Sequence, residues 1–299
     1  MLPNFLCVGA QKSGTTTLDQ ILRQHPDIFL PRKVKETKFF VFADRYARGV
    51  RWYEQEFFAD WQGQKAVGEV DPAIMFEEQA ASRIRETLGT EVKLIFLLRN
   101  PATRAYSHYL MSRRRGWETL SFSEALRAEP QRLKQDPEHR LRFSYLARGF
   151  YASQVERFLR SFPRSHLLFL IMEEDFIRNR EKTFHRIQEF LNVPVRKLNL
   201  DIRRNEAADV RFSWLQQLVR ARGWLRSAAA TLLPRRLRRR LHQAAEQWFT
   251  APARDPHLST ELTLQLIHQY FLEDIHRLET LIDRDLSCWY QHNEGRLLA

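Results

Sequence analysis

The apolar and polar positions of this chain follow two patterns in turn. Short, nearly continuous apolar runs, typical of strands buried in a parallel sheet, fall at residues 5–8, 65–70, 92–98 and 166–172. The stretches between them repeat apolar residues every three or four positions, which predicts helices at 15–24, 77–88, 102–115, 123–129, 151–162 and 181–191. Strands that alternate with helices predict an α/β fold in which helices cover both faces of a parallel sheet, in three layers.

The pattern changes after residue 198. From there on the periodicity is almost entirely helical, with helices predicted at 213–230, 235–249 and 260–283. A chain of 299 residues is long enough for one large α/β domain. We therefore expect a single domain over 1–299, with an α/β core at 1–198 and a mainly helical extension at 199–299 packed on it.

The first apolar run leads into a turn rich in Gly, Ser and Thr. Residues 9–17 read Gly-Ala-Gln-Lys-Ser-Gly-Thr-Thr-Thr, which predicts a loop between a strand and a helix. The unpaired N–H groups and the dipole of that helix, together with the Lys12 ammonium and the hydroxyls, predict a socket for a phosphate or sulfate group. A Walker A loop places its Lys after the second Gly, whereas Lys12 precedes Gly14, so the loop does not match that motif.

A second anion-binding pattern follows the run at 92–98. That run ends at Arg99-Asn100-Pro101, and the next helix carries Ser107, eight residues after Arg99. A guanidinium at the carboxyl end of a parallel strand lies where ligands bind in open α/β sheets, and it can hold a phosphate. We expect the strand ends to bring together Lys12, Arg99 and either Glu69 or Asp71.

Taken together, the two patterns resemble those of a known family. Residues 11–18 resemble the 5′-phosphosulfate loop of sulfotransferases that use PAPS (3′-phosphoadenosine 5′-phosphosulfate), and residues 98–107 resemble their 3′-phosphate motif. The resemblance covers about residues 3–195. Further resemblance runs through residues 35–40, 68–72 and 149–191, and the whole looks closer to the heparan-sulfate and related Golgi-type branch, with its bacterial relatives, than to the cytosolic branch.

The resemblance implies transfer of a sulfuryl group from PAPS to a hydroxyl or amine of an acceptor such as a saccharide, a lipid or a small natural product. It implies no metal, and it implies that Lys12 stabilises the leaving phosphate. Arg203, Arg204 and Arg211 are our candidates for the family's late basic loop. The donor-binding residues that it implies are Lys12, Ser13, Gly14, Thr15, Thr16, Thr17, Arg99, Ser107 and Arg211.

The general base is predicted to be Glu36. It lies in Lys-Glu-Thr-Lys-Phe-Phe, which resembles the Glu-x-His-Phe-Phe of the Golgi-type branch with Lys38 in place of His. We expect nearby sulfate and apolar rings to raise the pKa of this carboxylate. Glu69 and Asp71 are competing carboxylates at a predicted strand end. The alternative for Glu36 is a salt bridge within its loop to Lys33, Lys35 or Lys38.

Composition adds a strongly basic balance. Lys and Arg number 48 against 36 acidic residues, a net charge of +12 that favours nucleotides and other polyanions. We interpret the basic run at 235–240 as a solvated face. No nucleic-acid-binding motif or interleaving of aromatic and basic residues is found, so we expect no nucleic-acid partner. The sequence does not indicate an oligomeric state.

Targeting signals are not found in the sequence. It contains no apolar stretch of the length that spans a bilayer, and its first residues lead directly into the first predicted strand without a signal peptide. Golgi members of the resembled family carry an N-terminal membrane anchor. We find no such anchor in this sequence, and we therefore expect a cytoplasmic protein. The two cysteines, Cys7 and Cys288, have neither disulfide-framework nor zinc spacing.

Two other functions remain open at this point. One is an ATP-dependent kinase or NTPase, because the run at 167–172 followed by Glu173 and Glu174 mimics a Walker B strand whose acidic end holds Mg²⁺. The other is a non-enzymatic polyanion-binding protein, for which a steep dependence on salt is expected.

Overall fold

The structure is a computed structural model that describes residues 1–202, 208–210, 250–252 and 257–291. Within that part of the chain, five strands form one parallel sheet in the order β2-β3-β1-β4-β5. The strands are β1 (Phe5–Gly9), β2 (Ile28–Phe29), β3 (Ala66–Val70), β4 (Lys93–Leu98) and β5 (Leu167–Ile171). The four strands predicted from apolar runs are confirmed. The sequence analysis missed β2, a two-residue strand at the sheet edge.

The central strand carries the first predicted anion loop, and its neighbours carry the other candidate groups. Leu6 of β1 pairs with Glu69 of β3 on one side and with Leu94 of β4 on the other. Because all these pairings are parallel, the loop after β1, the acidic end of β3 and the Arg99 end of β4 lie at the same edge of the sheet.

Helices follow the strands along the chain. They are α1 (Thr15–Leu22), α2 (Ala43–Tyr46), α3 (Val50–Phe57), α4 (Ala80–Leu88), α5 (Pro101–Arg114), α6 (Phe122–Arg132), α7 (Pro137–Phe143), α8 (Tyr151–Leu159), α9 (Arg180–Phe190), α10 (Thr260–Leu266) and α11 (Leu272–Ile282). The predicted α/β class is confirmed, and so is the helical character of residues 260–282. The sequence analysis missed α2, α3 and α7. The helices predicted at 213–230 and 235–249 lie outside the described residues.

Alternate residues of β4 show why its sequence is apolar throughout. Ile95 and Leu97 belong to a buried cluster that includes Leu18 of α1 and Ile187 of α9. Phe96 points to the opposite face, where its ring lies 5.2 Å from that of Phe158 in α8. Both faces of the strand are therefore covered, as expected for a parallel sheet.

The chain divides into two compact units. The first contains residues 1–104, 148–204 and 264–299, and includes the sheet; the second contains 105–147 and 205–263. In the second unit, strands β6 (Ala208–Val210) and β7 (Thr250–Pro252) pair antiparallel. The single domain expected over 1–299 stays a prediction. No described helix is both long and apolar enough to cross a membrane.

Candidate active site

The loop between β1 and α1 is built around two residues in the left-handed backbone region. Lys12 has φ 72° and Gly14 has φ 89°. Gly14 tolerates this conformation because it lacks a Cβ atom, and it lies at the start of α1. Among the described residues, no side chain caps this helix. Its first N–H groups are therefore available to an anion.

Ser13 is the clearest sign that the loop is built for a ligand. Its side chain is fully buried, and its Oγ atom has no hydrogen-bond partner in the described part of the chain. A buried hydroxyl without a partner is costly, and an anion oxygen at the end of the helix would satisfy it. The residues present thus fit a phosphate or phosphosulfate group.

Arg99 lies at the end of β4 and contacts the loop directly. Its Nη1 atom donates to the carbonyl oxygen of Lys12 at 3.0 Å, and its Nε atom donates to Thr103 Oγ1 at 3.0 Å. The Tyr151 hydroxyl donates to the carbonyl oxygen of Arg99 at 2.9 Å. Within residues 1–202 and 257–291, no carboxylate forms a salt bridge with this half-buried guanidinium. A cation without a carboxylate partner beside the loop favours an anionic ligand.

Asn100 fixes the position of the strand end that carries Arg99. Its side-chain oxygen accepts from the N–H groups of Ala102 and Thr103 at 3.1 Å, which caps α5. Its backbone N–H donates to Glu173 Oε1 at 3.0 Å, and its side-chain amide donates to the carbonyl oxygen of Trp289 at 3.1 Å. Trp289 Nε1 in turn donates to Glu173 Oε2 at 3.0 Å.

The acidic residues after β5 form ion pairs and hydrogen bonds with other parts of the chain. Arg284 donates to Asp175 Oδ2 at 2.6 Å and to Glu174 Oε2 at 2.9 Å. Both oxygens of Glu173 accept hydrogen bonds from the chain itself. To bind Mg²⁺ as the acidic end of a Walker B strand does, these carboxylates would have to give up their hydrogen bonds and ion pairs within the chain.

Glu36 lies between two lysines. Its Oε2 atom is 2.7 Å from Lys38 Nζ, and its Oε1 atom is 3.3 Å from Lys35 Nζ. Burial tends to raise the pKa of this carboxyl, but Lys38 and then Lys35 outweigh it and leave the pKa below its ordinary value. The expectation of a raised pKa is therefore wrong, because two ammonium groups contact the carboxylate. The predicted salt bridge forms with Lys35 and Lys38, whereas Lys33 lies 3.5 Å from Glu56.

Lys38 is held in place by Asp71 at the end of β3. Lys38 has φ 59°, and its backbone N–H donates to Asp71 Oδ2 at 3.1 Å. Its Nζ atom donates to Asp71 Oδ1 at 2.7 Å, and the same oxygen accepts from the N–H of Ala73. Asp71 is fully buried and fully engaged. It positions Lys38, and through Lys38 it positions Glu36.

Glu69 of β3 is closed off from solvent, with the hydroxyls of Thr37 and Tyr53 near it. Its side chain is inaccessible to solvent, and neither oxygen has a hydrogen-bond partner within the described part of the chain. Burial, and then the charge of Asp71, raise the pKa of Glu69 to about 8. Of the three candidate carboxylates, only Glu36 is open to solvent, with 35% of its side chain accessible.

Lys35 connects the loop with Glu36, whereas the sequence analysis named it only as a possible salt-bridge partner of Glu36. Its Nζ atom lies 3.4 Å from both Thr15 Oγ1 and Thr16 Oγ1, and 3.3 Å from Glu36 Oε1. The signal for it was its place directly before Glu36, but only the folded chain brings it to α1. Lys35 is therefore in contact both with the start of α1, where an anion would bind, and with the candidate base Glu36.

Most of the aromatic residues that follow Glu36 form core. Phe39 stacks on Tyr53 with ring centroids 4.2 Å apart, and Phe40 and Phe58 pack against Tyr53 edge-on. These four side chains are almost completely buried. They hold the segment that carries Glu36 against α3.

Two predicted donor-binding residues fall outside the first compact unit. Ser107 is half-buried on α5, in the second compact unit. Arg211 lies outside the described residues, as do Arg203 and Arg204. The roles expected for all of them stay predictions.

Comparison with known proteins places the chain in a family. The model of the family described as "Sulfotransferase domain" matches residues 2–226, and the chain belongs to that family. A solved sulfotransferase from Alicyclobacillus acidocaldarius is similar over 97% of this chain and 100% of that chain, with 28% identity and a TM-score of 0.69.

Curated relatives carry more specific names. Human heparan sulfate glucosamine 3-O-sulfotransferase 6 is 34% identical over 196 residues, which cover 64% of this chain and 52% of that protein. The membrane-associated sulfotransferase kil1 of Dictyostelium discoideum is 39% identical over 113 residues, which cover 37% of this chain and 23% of that protein. The matched regions thus span about half or less of the length of these relatives.

Proposed function

We propose that the chain is a PAPS-dependent sulfotransferase that moves a sulfuryl group to a hydroxyl or amine of an acceptor. The observation that carries the proposal is the contact between Arg99 Nη1 and the carbonyl oxygen of Lys12 at 3.0 Å, because it joins the two anion-binding motifs. A donor with phosphate groups at both ends suits two adjoining cationic sites. Membership of the sulfotransferase family supports the same function.

The residues divide the work between donor and acceptor. The N–H groups at the start of α1, with Ser13 and Thr16, would hold the 5′-phosphosulfate, while Arg99 would hold the 3′-phosphate. Lys12 would neutralise the charge that develops on the bridging oxygen as its bond to sulfur breaks. When bound, PAPS supplies the sulfuryl group.

Glu36 is the carboxylate that fits the role of base. It would accept the proton of the acceptor hydroxyl as that oxygen forms its bond to sulfur, and the electron pair of the broken bond would remain on the departing phosphate. Glu69 is inaccessible and Asp71 is engaged by Lys38 and Ala73, which weighs against either as the base. The chain's acceptor class remains a saccharide, a lipid or a small natural product.

The test combines nucleotide binding with a transfer assay. Calorimetry in the presence of EDTA would measure binding of adenosine 3′,5′-bisphosphate (PAP), and ³⁵S-labelled PAPS would be incubated with panels of glycans, lipids and phenolic alcohols. We expect PAP to bind without Mg²⁺ and label to reach at least one acceptor class. Lys12→Ala, the matched control, should lose turnover by roughly 10²-fold or more while its fold persists.

The two rival functions give different results in the same experiment. A kinase or NTPase would bind ATP with Mg²⁺ in preference to PAP, but the pairing of Glu174 and Asp175 with Arg284 weighs against a Mg²⁺ site there. A polyanion-binding protein would retain heparin or nucleic acid with a steep salt dependence and no preference among nucleotides. Either pattern, without label transfer, would overturn the proposed function.

A further inference from the structure

Lys35 occupies an electrostatically unfavourable place unless an anion joins it. Its Nζ atom contacts Thr15 Oγ1 and Thr16 Oγ1, both in the first turn of α1, where the helix dipole adds partial positive charge. Cations are normally found at the opposite end of a helix. An ammonium beside uncapped N–H groups and the unpartnered hydroxyl of Ser13 favours a negatively charged group between them.

Glu36 does not by itself account for the position of Lys35. The carboxylate already has a closer cation in Lys38, at 2.7 Å against 3.3 Å for Lys35. Lys38 is also anchored on its other side by Asp71, whereas the remaining polar contacts of Lys35 with the described residues are the two hydroxyls at 3.4 Å. Long contacts to neutral hydroxyls stabilise an ammonium less than a charged partner would.

We propose that Lys35 is a catalytic residue that binds the transferring sulfuryl group, between the loop and Glu36. The inference rests on the proposed function and deepens it, because it separates two cationic roles. Lys12 acts on the bridging oxygen that leaves with PAP, whereas Lys35 acts on the sulfuryl oxygens that move to the acceptor. A fixed cation beside these oxygens holds the sulfur in line between the leaving phosphate and the acceptor oxygen, and this orientation lowers the barrier.

The chemical step requires no atom from Lys35. The bond from sulfur to the bridging oxygen breaks and leaves its electron pair on the phosphate of PAP. The bond from sulfur to the acceptor oxygen forms, and the acceptor proton passes to Glu36. Lys35 remains an ammonium before and after the transfer.

The comparison of PAPS with PAP isolates this role, because PAP lacks the sulfuryl group. We would measure binding of both nucleotides by calorimetry for the wild-type chain, Lys35→Met and Lys35→Arg. Lys33→Met is the matched control, since Lys33 is a nearby lysine with 62% of its side chain exposed. Turnover would be measured on the acceptor found in the label-transfer screen, and circular dichroism would verify folding.

We expect Lys35→Met to weaken PAPS binding by about tenfold, to leave PAP binding within about twofold, and to lower kcat by roughly 10²-fold. Lys35→Arg should retain much of the preference for PAPS, and Lys33→Met should resemble wild type. Equal losses for PAPS and PAP, or unchanged kcat, would overturn the role of Lys35 while leaving the proposed function intact. If the Lys35→Met chain fails to fold, Lys35→Gln takes its place: a loss of PAPS binding with retained PAP binding supports the role, and equal losses for PAPS and PAP oppose it. If the wild-type chain binds neither nucleotide, both proposals fail.

Discussion

The guanidinium of Arg99 and the main chain of Lys12 are joined by a hydrogen bond of 3.0 Å. One residue ends a strand and the other lies in the loop after the neighbouring strand, 87 positions earlier. The contact leaves the rest of the guanidinium without a salt bridge to any described carboxylate. Arg99 therefore has two effects on one site: it offers charge to an anion and it supports the backbone of the loop.

Replacing Arg99 should affect donor binding most. We expect Arg99→Ala to weaken PAP binding by about ten- to a hundredfold, because a hydrogen bond to a charged group contributes about 1.5–3 kcal/mol. Because the loop loses its support, kcat should also fall, by a smaller factor. Calorimetry with PAP measures the first effect. Arg160→Ala, which removes an exposed arginine paired with Glu156, serves as the control; unchanged PAP affinity in Arg99→Ala would contradict the assignment.

Replacing Glu36 should separate chemistry from binding. We expect Glu36→Gln to lower kcat by roughly 10²- to 10⁴-fold, the usual contribution of a general base, and to leave PAP affinity near that of wild type. Steady-state kinetics and calorimetry measure the two quantities. Glu56→Gln, at an exposed carboxylate near the same loop, is the control. Near-normal turnover in Glu36→Gln would mean that the base lies on the acceptor or on another residue.

The pH dependence of kcat/KM should show how Lys35 and Lys38 change the pKa of Glu36. A general base at Glu36 acts in its ionised form, so we expect activity to be lost as pH falls through its pKa, which Lys38 and Lys35 hold below the ordinary value of 4.5. Lys38→Met removes the larger of these two effects while burial remains, so the pKa rises and the acid limb of kcat/KM moves to higher pH. Lys38→Arg should leave the limb near its original place. An acid limb that is the same in wild type and Lys38→Met would argue against Glu36 as the titrating base.

Glu69 should make the wild-type chain less stable as pH rises. The buried carboxyl keeps its proton up to a pKa of about 8, whereas the unfolded chain releases it near 4.5. Between these values the unfolded state binds fewer protons, so the free energy of unfolding falls with pH by at most about 1.4 kcal/mol per pH unit from this group. Urea unfolding at pH 5 and pH 8 should show Glu69→Gln gaining stability over wild type as pH rises, whereas Glu56→Gln should not. A difference in the free energy of unfolding between Glu69→Gln and wild type that does not change with pH would show that Glu69 has an ordinary pKa in the folded chain.

The sequence predicted the parts of this fold that depend on local pattern. Apolar runs of buried strands and the Gly-rich turn after Val8 are written in consecutive residues, and so is the Arg99 strand end. Strand β2 has only two residues, too few for any periodicity to appear. Helix α2 has only four residues, about one turn, which is likewise too short to show a period.

The arrangement around Glu36 could not be predicted in the same way. Lys38 reaches Asp71 across 33 positions and requires a left-handed backbone conformation that a lysine rarely adopts. The lowered pKa of Glu36 follows from that contact and from Lys35, which meets α1 only after folding. Local sequence identified the base candidate, but tertiary contacts decide its charge environment.

The bond between Asn100 and Trp289 spans 189 positions. While the chain is being synthesised, Arg99 leaves the ribosome long before Trp289, the residue that binds Asn100, has been added. The position of the strand end that carries Arg99 therefore depends on a contact that can form only after residue 289 has been made.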